Sequence, residues 1–340
     1  MSDSRRNFLE AAGATGALVP LRSEAQKLNS VKAAGRAYER LSSEILNLFG
    51  TAPGSTALKV WAPATTAARE LLVEYNASER LFVGSAIKAF VLCERLRQLD
   101  SPDVVSMISQ NQLRLDASVW SIDSRTMNPP NLSGLVTERT AMEAMIIHSD
   151  NTATDMEIAQ TGRRNVERFL ESAGLTNSAI PDSTRVFTAY LFGAPDYKTF
   201  SWQQLVSLPD DAPIVNSPLN NVETLASSCD DLVSFYSRSL QGEFFQYGQT
   251  LSEFRRILTL ADAITSIPFP LGVTGFAKAG SIDVTGYHSL CLPGAMFFND
   301  RWVYFSMINN WNAPEATDPN TVLKFVTVAR GVLQLLKDGL

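Results

Sequence analysis

Two side chains with complementary chemistry stand three residues apart a quarter of the way along the chain, Ser85 and Lys88. On a helix, residues at i and i+3 share a face, so the Lys88 amine can reach the Ser85 hydroxyl. Serine at its ordinary pKa is a weak nucleophile and needs a neighbouring base. Burial and a nearby second ammonium both disfavour charged lysine, so Lys88 is a candidate for that base. The spacing therefore predicts a nucleophilic serine.

Two further polar segments complete a possible site, Ser149-Asp150-Asn151 and Lys278-Ala279-Gly280. The first interrupts two helix-like apolar stretches, and Lys278 is the candidate second cation. Each segment alone is weak evidence, because a polar triplet usually marks a turn or a helix cap and a strand lysine usually faces solvent. Their order and separation carry the argument.

In that order the segments resemble the S-x-x-K, S-D-N and K-T-G elements of the penicillin-binding protein and class A β-lactamase superfamily. The stretch 146–153, Ile-Ile-His-Ser-Asp-Asn-Thr-Ala, is the most specific part of the likeness. The resemblance implies an acyl-enzyme on Ser85, with Lys88 as general base. It also implies that Ser149 relays a proton to the leaving group and that Lys278 holds Ser149 in place.

The resemblance assigns binding roles to other residues as well. Asn151 is expected to bind the acyl side chain of the substrate or to orient Lys88. The backbone N–H groups of Ser85 and Ser281 are expected to form the oxyanion hole. Gly280, which has no side chain, is expected to let the substrate approach the backbone closely.

The sequence departs from the family in two places. Class A enzymes carry a deacylating Glu in the loop after S-D-N, but no Glu occurs between Glu171 and Glu223. Asp182 and Thr184 are the nearest polar candidates. Ala279 stands where the family usually has a hydroxyl that binds the substrate carboxylate, and Ser281 and His288 are expected to compensate. Efficient penicillin hydrolysis is therefore not expected from the sequence.

Length and composition restrict the remaining possibilities. The 340 residues suit one large domain or two interlocked domains, and 45% hydrophobic with 19% charged residues is ordinary for a globular protein. A net charge of −6 argues against a nucleic-acid partner. We expect a small-molecule or peptide-like substrate. The oligomeric state does not follow from the sequence.

Cysteine and histidine usage argues against a disulfide framework or a metal site. Cys93, Cys229 and Cys291 are isolated, odd in number and set in apolar stretches, so buried thiols are predicted. The chain has only two histidines, His148 and His288, too few for a histidine-rich metal centre. No metal or organic cofactor is expected.

The N-terminus has the pattern of an export signal. Arg5-Arg6 is followed by a short, weakly hydrophobic run and by small residues near Ala25, which is typical of a twin-arginine signal over residues 1–25. A periplasmic or secreted protein is expected. No stretch has the eighteen or so apolar residues of a membrane span.

The expected fold is an α/β plus all-α arrangement of the β-lactamase type. A five-stranded antiparallel sheet with terminal helices is assembled from residues 26–93 and 266–340, and residues 94–265 form an inserted all-helical subdomain. The active site is expected between them. Asn299-Asp300, between two apolar runs, predicts a hairpin.

Three functions fit the sequence. The first is hydrolysis of an amide, β-lactam or ester through the acyl-enzyme. The second is a D,D-peptidase or carboxylesterase with little β-lactam turnover. The third, from a different class, is an acylated sensor or binding protein in which the missing Glu leaves the adduct long-lived. The rate of deacylation distinguishes them.

Overall fold

The computed structural model describes residues 24–209 and 212–340, with side chains from Gly35 onward. The predicted export signal lies outside the described residues, apart from Glu24 and Ala25. The chain divides into two compact units, residues 1–40 and 41–340. The described part of the first unit is helical. The strands and the candidate site residues belong to the second unit. No helix among the described residues is long and apolar enough to cross a membrane.

Helices are the most abundant regular structure in the described chain. They are α1 (Glu24–Phe49), α2 (Lys88–Gln98), α3 (Val104–Gln110), α4 (Glu138–Ile147), α5 (Asn151–Thr161), α6 (Arg163–Ser172), α7 (Thr184–Leu191), α8 (Trp202–Val206), α9 (Cys229–Leu240), α10 (Gly248–Thr259), α11 (Asp262–Ser266) and α12 (Pro319–Gly339).

The strands fall mainly at the two ends of the second unit. They are β1 (Ser55–Ala62), β2 (Leu71–Tyr75), β3 (Leu81–Phe82), β4 (Gln112–Leu115), β5 (Gly134–Thr137), β6 (Ala226–Ser227), β7 (Thr274–Ala277), β8 (Gly280–Val284), β9 (Tyr287–Phe298) and β10 (Arg301–Trp311). The order in the main sheet is β2-β1-β10-β9-β7, with β8 also paired to β9. Every pairing in it is antiparallel.

The main sheet confirms the predicted five-stranded antiparallel sheet, with one detail added. Its edge position is shared by β7 and β8, which pair with β9 in one continuous register on either side of Lys278-Ala279. This register leaves Lys278 opposite Pro293, which has no N–H to donate to the ladder. The interruption therefore falls at the predicted catalytic lysine.

Sequence signals account for the ends of several elements. Asn299 and Asp300 have φ of 50° and 54° in the β9–β10 turn, the left-handed conformation that a tight two-residue hairpin requires. The predicted hairpin is thus confirmed. Asp318 caps α12 by accepting a hydrogen bond from the Thr321 N–H, with Pro319 at the first position.

The core lies on both faces of the main sheet. Strands β9 and β10 are buried along almost their whole length, as expected for central strands covered on both sides. Helix α9 packs against β1, β9 and β10, and α12 packs against β9. The three cysteines are free and buried, as predicted, and burial raises the pKa of each thiol.

The segment from residue 94 to 265 is predominantly helical but not wholly so. It contains the two-stranded ladder of β4 with β5, and it contributes β6 to a short ladder with β3. The β3–β6 ladder lies directly before the Ser85 turn, so part of the inserted segment helps to position the predicted nucleophile.

Candidate active site

Ser85 lies in a tight 3-10 turn, Gly84–Ile87, between β3 and α2. The strand before it is fixed by Asn310: the Phe82 N–H donates to Asn310 Oδ1 at 3.0 Å, and Asn310 Nδ2 donates to the Phe82 carbonyl at 2.9 Å. Ser85 itself is half-buried and lines a cleft. The turn, and not a regular α-helix as predicted, presents this hydroxyl.

Two glycines let the Ser85 turn and strand β8 touch along their backbones. A Cβ added at Gly280 would lie 2.7 Å from the Ser85 nitrogen and 2.6 Å from the Ala86 nitrogen, and would overlap the Val83 carbonyl. A Cβ at Gly84, whose φ is +53°, would lie 2.9 Å from the Ser281 nitrogen. The expected role of Gly280 is therefore revised, because the space above it holds the chain's own Ser85 turn.

This contact places the backbone nitrogens of Ser85 and Ser281 on adjoining segments. The Ser281 side chain is exposed and lines the same cleft as Ser85. Two N–H groups directed at one point are the usual form of an oxyanion hole. The adjacency of the two segments supports the predicted pair, which stays a prediction.

Lys88 is fully buried and its amine meets three oxygens. Its Nζ donates to the Ser149 carbonyl at 2.6 Å, to Asn151 Oδ1 at 2.8 Å and to Ser149 Oγ at 3.1 Å. As a neutral amine, Lys88 would donate hydrogen bonds to the two carbonyl oxygens and accept one from the Ser149 hydroxyl. The arrangement therefore serves both protonation states, as a general base requires.

Burial is the main cause that lowers the pKa of Lys88 well below its ordinary value, and the charge of Lys278 lowers it further. The carboxylates of Asp155, Asp150 and Asp123 act in the opposite direction. The contacts of Lys88 in the described chain do not include a hydrogen bond to Ser85. Direct contact between these two side chains was the sequence expectation, and the amine is turned towards Ser149 and Asn151 instead.

The S-D-N loop is held by its middle residue. Ser149 adopts a left-handed φ of 55° between α4 and α5. The fully buried Asp150 carboxylate accepts hydrogen bonds from the N–H groups of Ala153 at 2.9 Å, Thr126 at 2.8 Å and Met127 at 2.9 Å. Asp150 is thus the N-cap of α5 as well as a tether to a second loop, and it fixes the positions of its two neighbours.

Asn151 occupies the first position of α5 and is half-buried. Of the two roles expected for it, the contact between its Oδ1 and Lys88 favours orientation of the lysine. The sequence predicted both roles for Asn151 but did not distinguish between them.

Lys278 lies between β7 and β8, is 4% exposed, and lines the cleft together with Ser85 and Ser149. Burial lowers its pKa to about 7, against the opposing effect of Asp262. Its amine donates a hydrogen bond to the carbonyl of Ala279 at 3.0 Å. The expected contact with Ser149 is not among the hydrogen bonds of the described residues, so the two side chains share the cleft without direct bonding.

Asp182 and Thr184 do not line the cleft. Asp182 is ion-paired with Arg163 at 2.6 Å and lies 3.7 Å from Lys198. The buried Thr184 hydroxyl donates to Ser121 Oγ at 2.8 Å. Both side chains are thus engaged elsewhere, which counts against either of them as the deacylating group in this conformation.

The structure adds a buried carboxylate that the sequence analysis missed. Asp155 lies one turn after Asn151 on α5, and it accepts hydrogen bonds from the N–H groups of Thr184 at 2.6 Å and Arg185 at 3.2 Å. Burial raises the pKa of Asp155 to about 6. It fixes the start of α7, and its i+4 spacing from Asn151 was the signal available in the sequence.

His288 does not reach the cleft. The residue is fully buried, its Nδ1 is hydrogen-bonded to Asp283, and its ring stacks on Trp311 with centroids 5.2 Å apart. The prediction that His288 binds substrate is therefore wrong for this conformation. The register explains why, since Asp283 and His288 are directly opposite on β8 and β9.

The cleft itself has a volume of about 310 Å³. It brings together Ser85, Ser149, Lys278, Gly280 and Ser281 of the predicted site. Groups of side chains suited to holding a metal ion do not occur among the described residues. What the arrangement can do chemically is activate one serine hydroxyl beside a buried amine and two backbone donors.

The β-lactamase enzyme family matches residues 40–283, well over half of the chain. The chain belongs to that family. A sequence comparison with curated proteins gives no match. The family assignment agrees with the geometry above, because Ser85, Lys88 and the S-D-N loop all lie in the matched range.

Solved structures with the same fold include PBP-A, at 18% identity and a TM-score of 0.63, covering 88% of this chain and 96% of that one. A leucine-to-glutamate variant of PBP-A, described as an acyl-enzyme complex with penicillin G, has 18% identity and a TM-score of 0.64 over 88% and 97%. A class A β-lactamase from Bacteroides cellulosilyticus has 15% identity and a TM-score of 0.66 over 89% and 99%. These likenesses establish the fold.

Proposed function

We propose that this member of the β-lactamase enzyme family is a serine hydrolase that forms an acyl-enzyme on Ser85. The observation that supports it best is the placement of the Lys88 amine. It is buried, has a lowered pKa, and is hydrogen-bonded to Ser149 and Asn151 at 2.6–3.1 Å beside the Ser85 turn. Such a desolvated amine can accept a proton near neutral pH.

In the first half of the reaction, Ser85 Oγ attacks the substrate carbonyl carbon and a C–O bond forms. The hydroxyl proton passes to Lys88, and the oxyanion is stabilised by the N–H groups of Ser85 and Ser281. The bond to the leaving nitrogen or oxygen then breaks. The leaving group takes a proton through the Ser149 hydroxyl, which lies 3.1 Å from Lys88 Nζ, and Lys278 supplies positive charge beside this path.

In the second half, water attacks the acyl carbon, the carboxylic acid leaves, and Ser85 regains its proton. The predicted loop contributes no suitable base for this step, because Asp182 is paired with Arg163 and Thr184 with Ser121. This supports slow deacylation of bulky adducts such as those from β-lactams. Slow deacylation is also compatible with the third function that fits the sequence, a long-lived acylated binding protein.

Labelling with a fluorescent fluorophosphonate tests the assignment. The wild type is expected to label, and Ser85→Ala is expected not to label while keeping its thermal unfolding midpoint. Ser266→Ala is the matched control, because Ser266 lines the same cleft but has no role in the proposed chemistry. Equal labelling of wild type and Ser85→Ala would transfer the role to another side chain, with Ser149 next in turn.

Penicillin G is the first β-lactam to try, because the PBP-A variant with a similar fold is described as its acyl-enzyme.

Export to the periplasm or beyond remains part of the proposal and depends on Arg5-Arg6. Replacement of both arginines by lysine keeps the charge and is expected to abolish translocation, since the twin-arginine receptor reads the pair itself. Unchanged export of that variant would contradict the proposed localisation.

A further inference from the structure

The cleft beyond the reacting groups is apolar. Its apolar lining includes residues of α11, the position directly after it, β9 and α12, namely Ala263, Ile267, Leu290, Val322, Phe325 and Val326. Leu290 lies directly opposite Ser281 in the register of β8 and β9. This wall, called here the α11–α12 wall, is therefore continuous with the proposed oxyanion hole.

The ionisable side chains that line the cleft also favour an uncharged substrate group. Among the described residues that line it, the side chains able to carry charge near neutral pH are His148, Asp262 and Lys278. His148 and Asp262 are hydrogen-bonded to each other at 3.1 Å and both are about half exposed. Lys278, with a pKa of about 7, is only partly charged at neutral pH. An arginine is absent from this lining, and Ala279 has no hydroxyl to offer.

A carboxylate placed against the α11–α12 wall would lose water without gaining a firm cationic partner, and it would face Asp262. An apolar group placed there would bury carbon surface against Leu290, Phe325 and Val326. Ser149, the proposed donor to the leaving group, lines the same cleft. The space therefore receives the leaving-group side of the substrate.

We propose that the cleft favours substrates whose leaving group is uncharged and apolar, so that neutral esters or amides acylate Ser85 faster than substrates with a carboxylate on that side, such as penicillin G. The inference rests on the proposed function and specifies its substrate class. It differs from the sequence expectation for His288, which is buried away from the cleft. Ser281 does line the cleft but offers a carboxylate only an uncharged hydroxyl.

Two esters with the same acyl group provide the test. One is the phenylacetate ester of methyl 3-hydroxybenzoate, and the other is the phenylacetate ester of 3-hydroxybenzoate, whose carboxylate is free. Both give the same acyl-enzyme, so kcat/KM reports on the leaving group alone once each value is divided by the rate of hydroxide hydrolysis. The neutral ester is expected to be better by about tenfold or more.

Variants place a cation in the wall. Leu290→Arg and Val326→Arg are each expected to reduce the preference for the neutral ester several-fold by raising kcat/KM for the anionic one. Leu323→Arg adds the same charge to the same helix at a residue that is 66% exposed and outside the cleft lining, and it is expected to leave the preference unchanged. If the wall variants do not fold, the wild type still decides the matter through inhibition by the two free phenols.

The outcomes separate the two proposals. A preference for the anionic ester, equal rates, or equal inhibition by both phenols would overturn the apolar subsite while leaving the acyl-enzyme intact. Wall variants that fold but keep the wild-type preference would also overturn it. Failure of both esters to acylate Ser85 would overturn the proposed function, and the subsite with it.

Discussion

Gly280→Ala is the substitution that the structure predicts most sharply. The added Cβ would lie 2.6–2.7 Å from the backbone nitrogens of Ala86 and Ser85, whereas ordinary contacts begin at 3.4 Å. The obstructing atoms belong to the backbone, so no change of rotamer relieves the overlap. The Ser85 turn and strand β8 must therefore separate by at least about 0.7–0.8 Å, the differences between these distances, and by more at the Val83 carbonyl oxygen, which the Cβ would overlap.

That displacement has two measurable costs. A misplacement of about 1 Å at a reacting group lowers rates by roughly 10²-fold, and loss of one oxyanion donor costs about 10²–10³-fold. Overpacking of a close contact also lowers the free energy of unfolding by about 1–3 kcal/mol. For Gly280→Ala we expect a fluorophosphonate labelling rate reduced about 100-fold and stability reduced within that range.

The assay measures the second-order rate constant of labelling together with urea unfolding. Gly248→Ala is the matched control, because a Cβ at Gly248 meets no atom within 4 Å. Gly248 opens α10, and Gly248→Ala is expected to keep the wild-type labelling rate. Wild-type labelling and stability in Gly280→Ala would show that the contact with the Ser85 turn does not position the nucleophile.

Three other predictions follow from the site. The acylation rate is expected to fall as pH rises past about 7, because Lys278 loses its proton with a pKa of about 7. Lys278→Arg should move this fall in rate to higher pH. A fall that stays at the same pH in Lys278→Arg would assign the titration to another group. Asp150→Ala leaves three N–H donors unpaired, two of them buried, and should lower the free energy of unfolding by about 3–5 kcal/mol in urea titrations. Asp116, whose hydrogen bonds with Ser118 are exposed, is the control. Asp116→Ala should lower the free energy of unfolding much less, and equal losses would refute the tether. Penicillin G should give a burst of one product per active site and then a slow phase, which Thr184→Glu should accelerate if the side chain turns from Ser121 to the cleft; rapid turnover without a burst in the wild type would contradict slow deacylation.

The sequence was sufficient for the Asn299-Asp300 turn, because neighbouring residues determine that conformation. The fold class followed from the order of local signals along the chain. These features needed no knowledge of which distant segments meet. The sequence did not predict the 3-10 turn at Ser85 or the direction of the Lys88 amine, although these two residues are only three positions apart.

Three other misjudged residues depend on long-range contacts. His288 was expected in the cleft, but both faces of β9 are covered, so strand alternation could not say which face is open. Gly280 was predicted to adjoin the substrate, because no local sequence signal shows that the Ser85 turn lies against it. Asp155 was overlooked because its partners, Thr184 and Arg185, are about thirty positions away.

The most direct test of the central claim is intact-mass analysis of the protein mixed with penicillin G and, separately, with the neutral phenylacetate ester, followed over time and mapped by peptide sequencing. The account predicts one added acyl group per chain, located on Ser85, that persists longer with penicillin than with the ester, and no adduct in Ser85→Ala. An adduct on a different residue, or none with either compound while the folded wild type hydrolyses the ester, would contradict it.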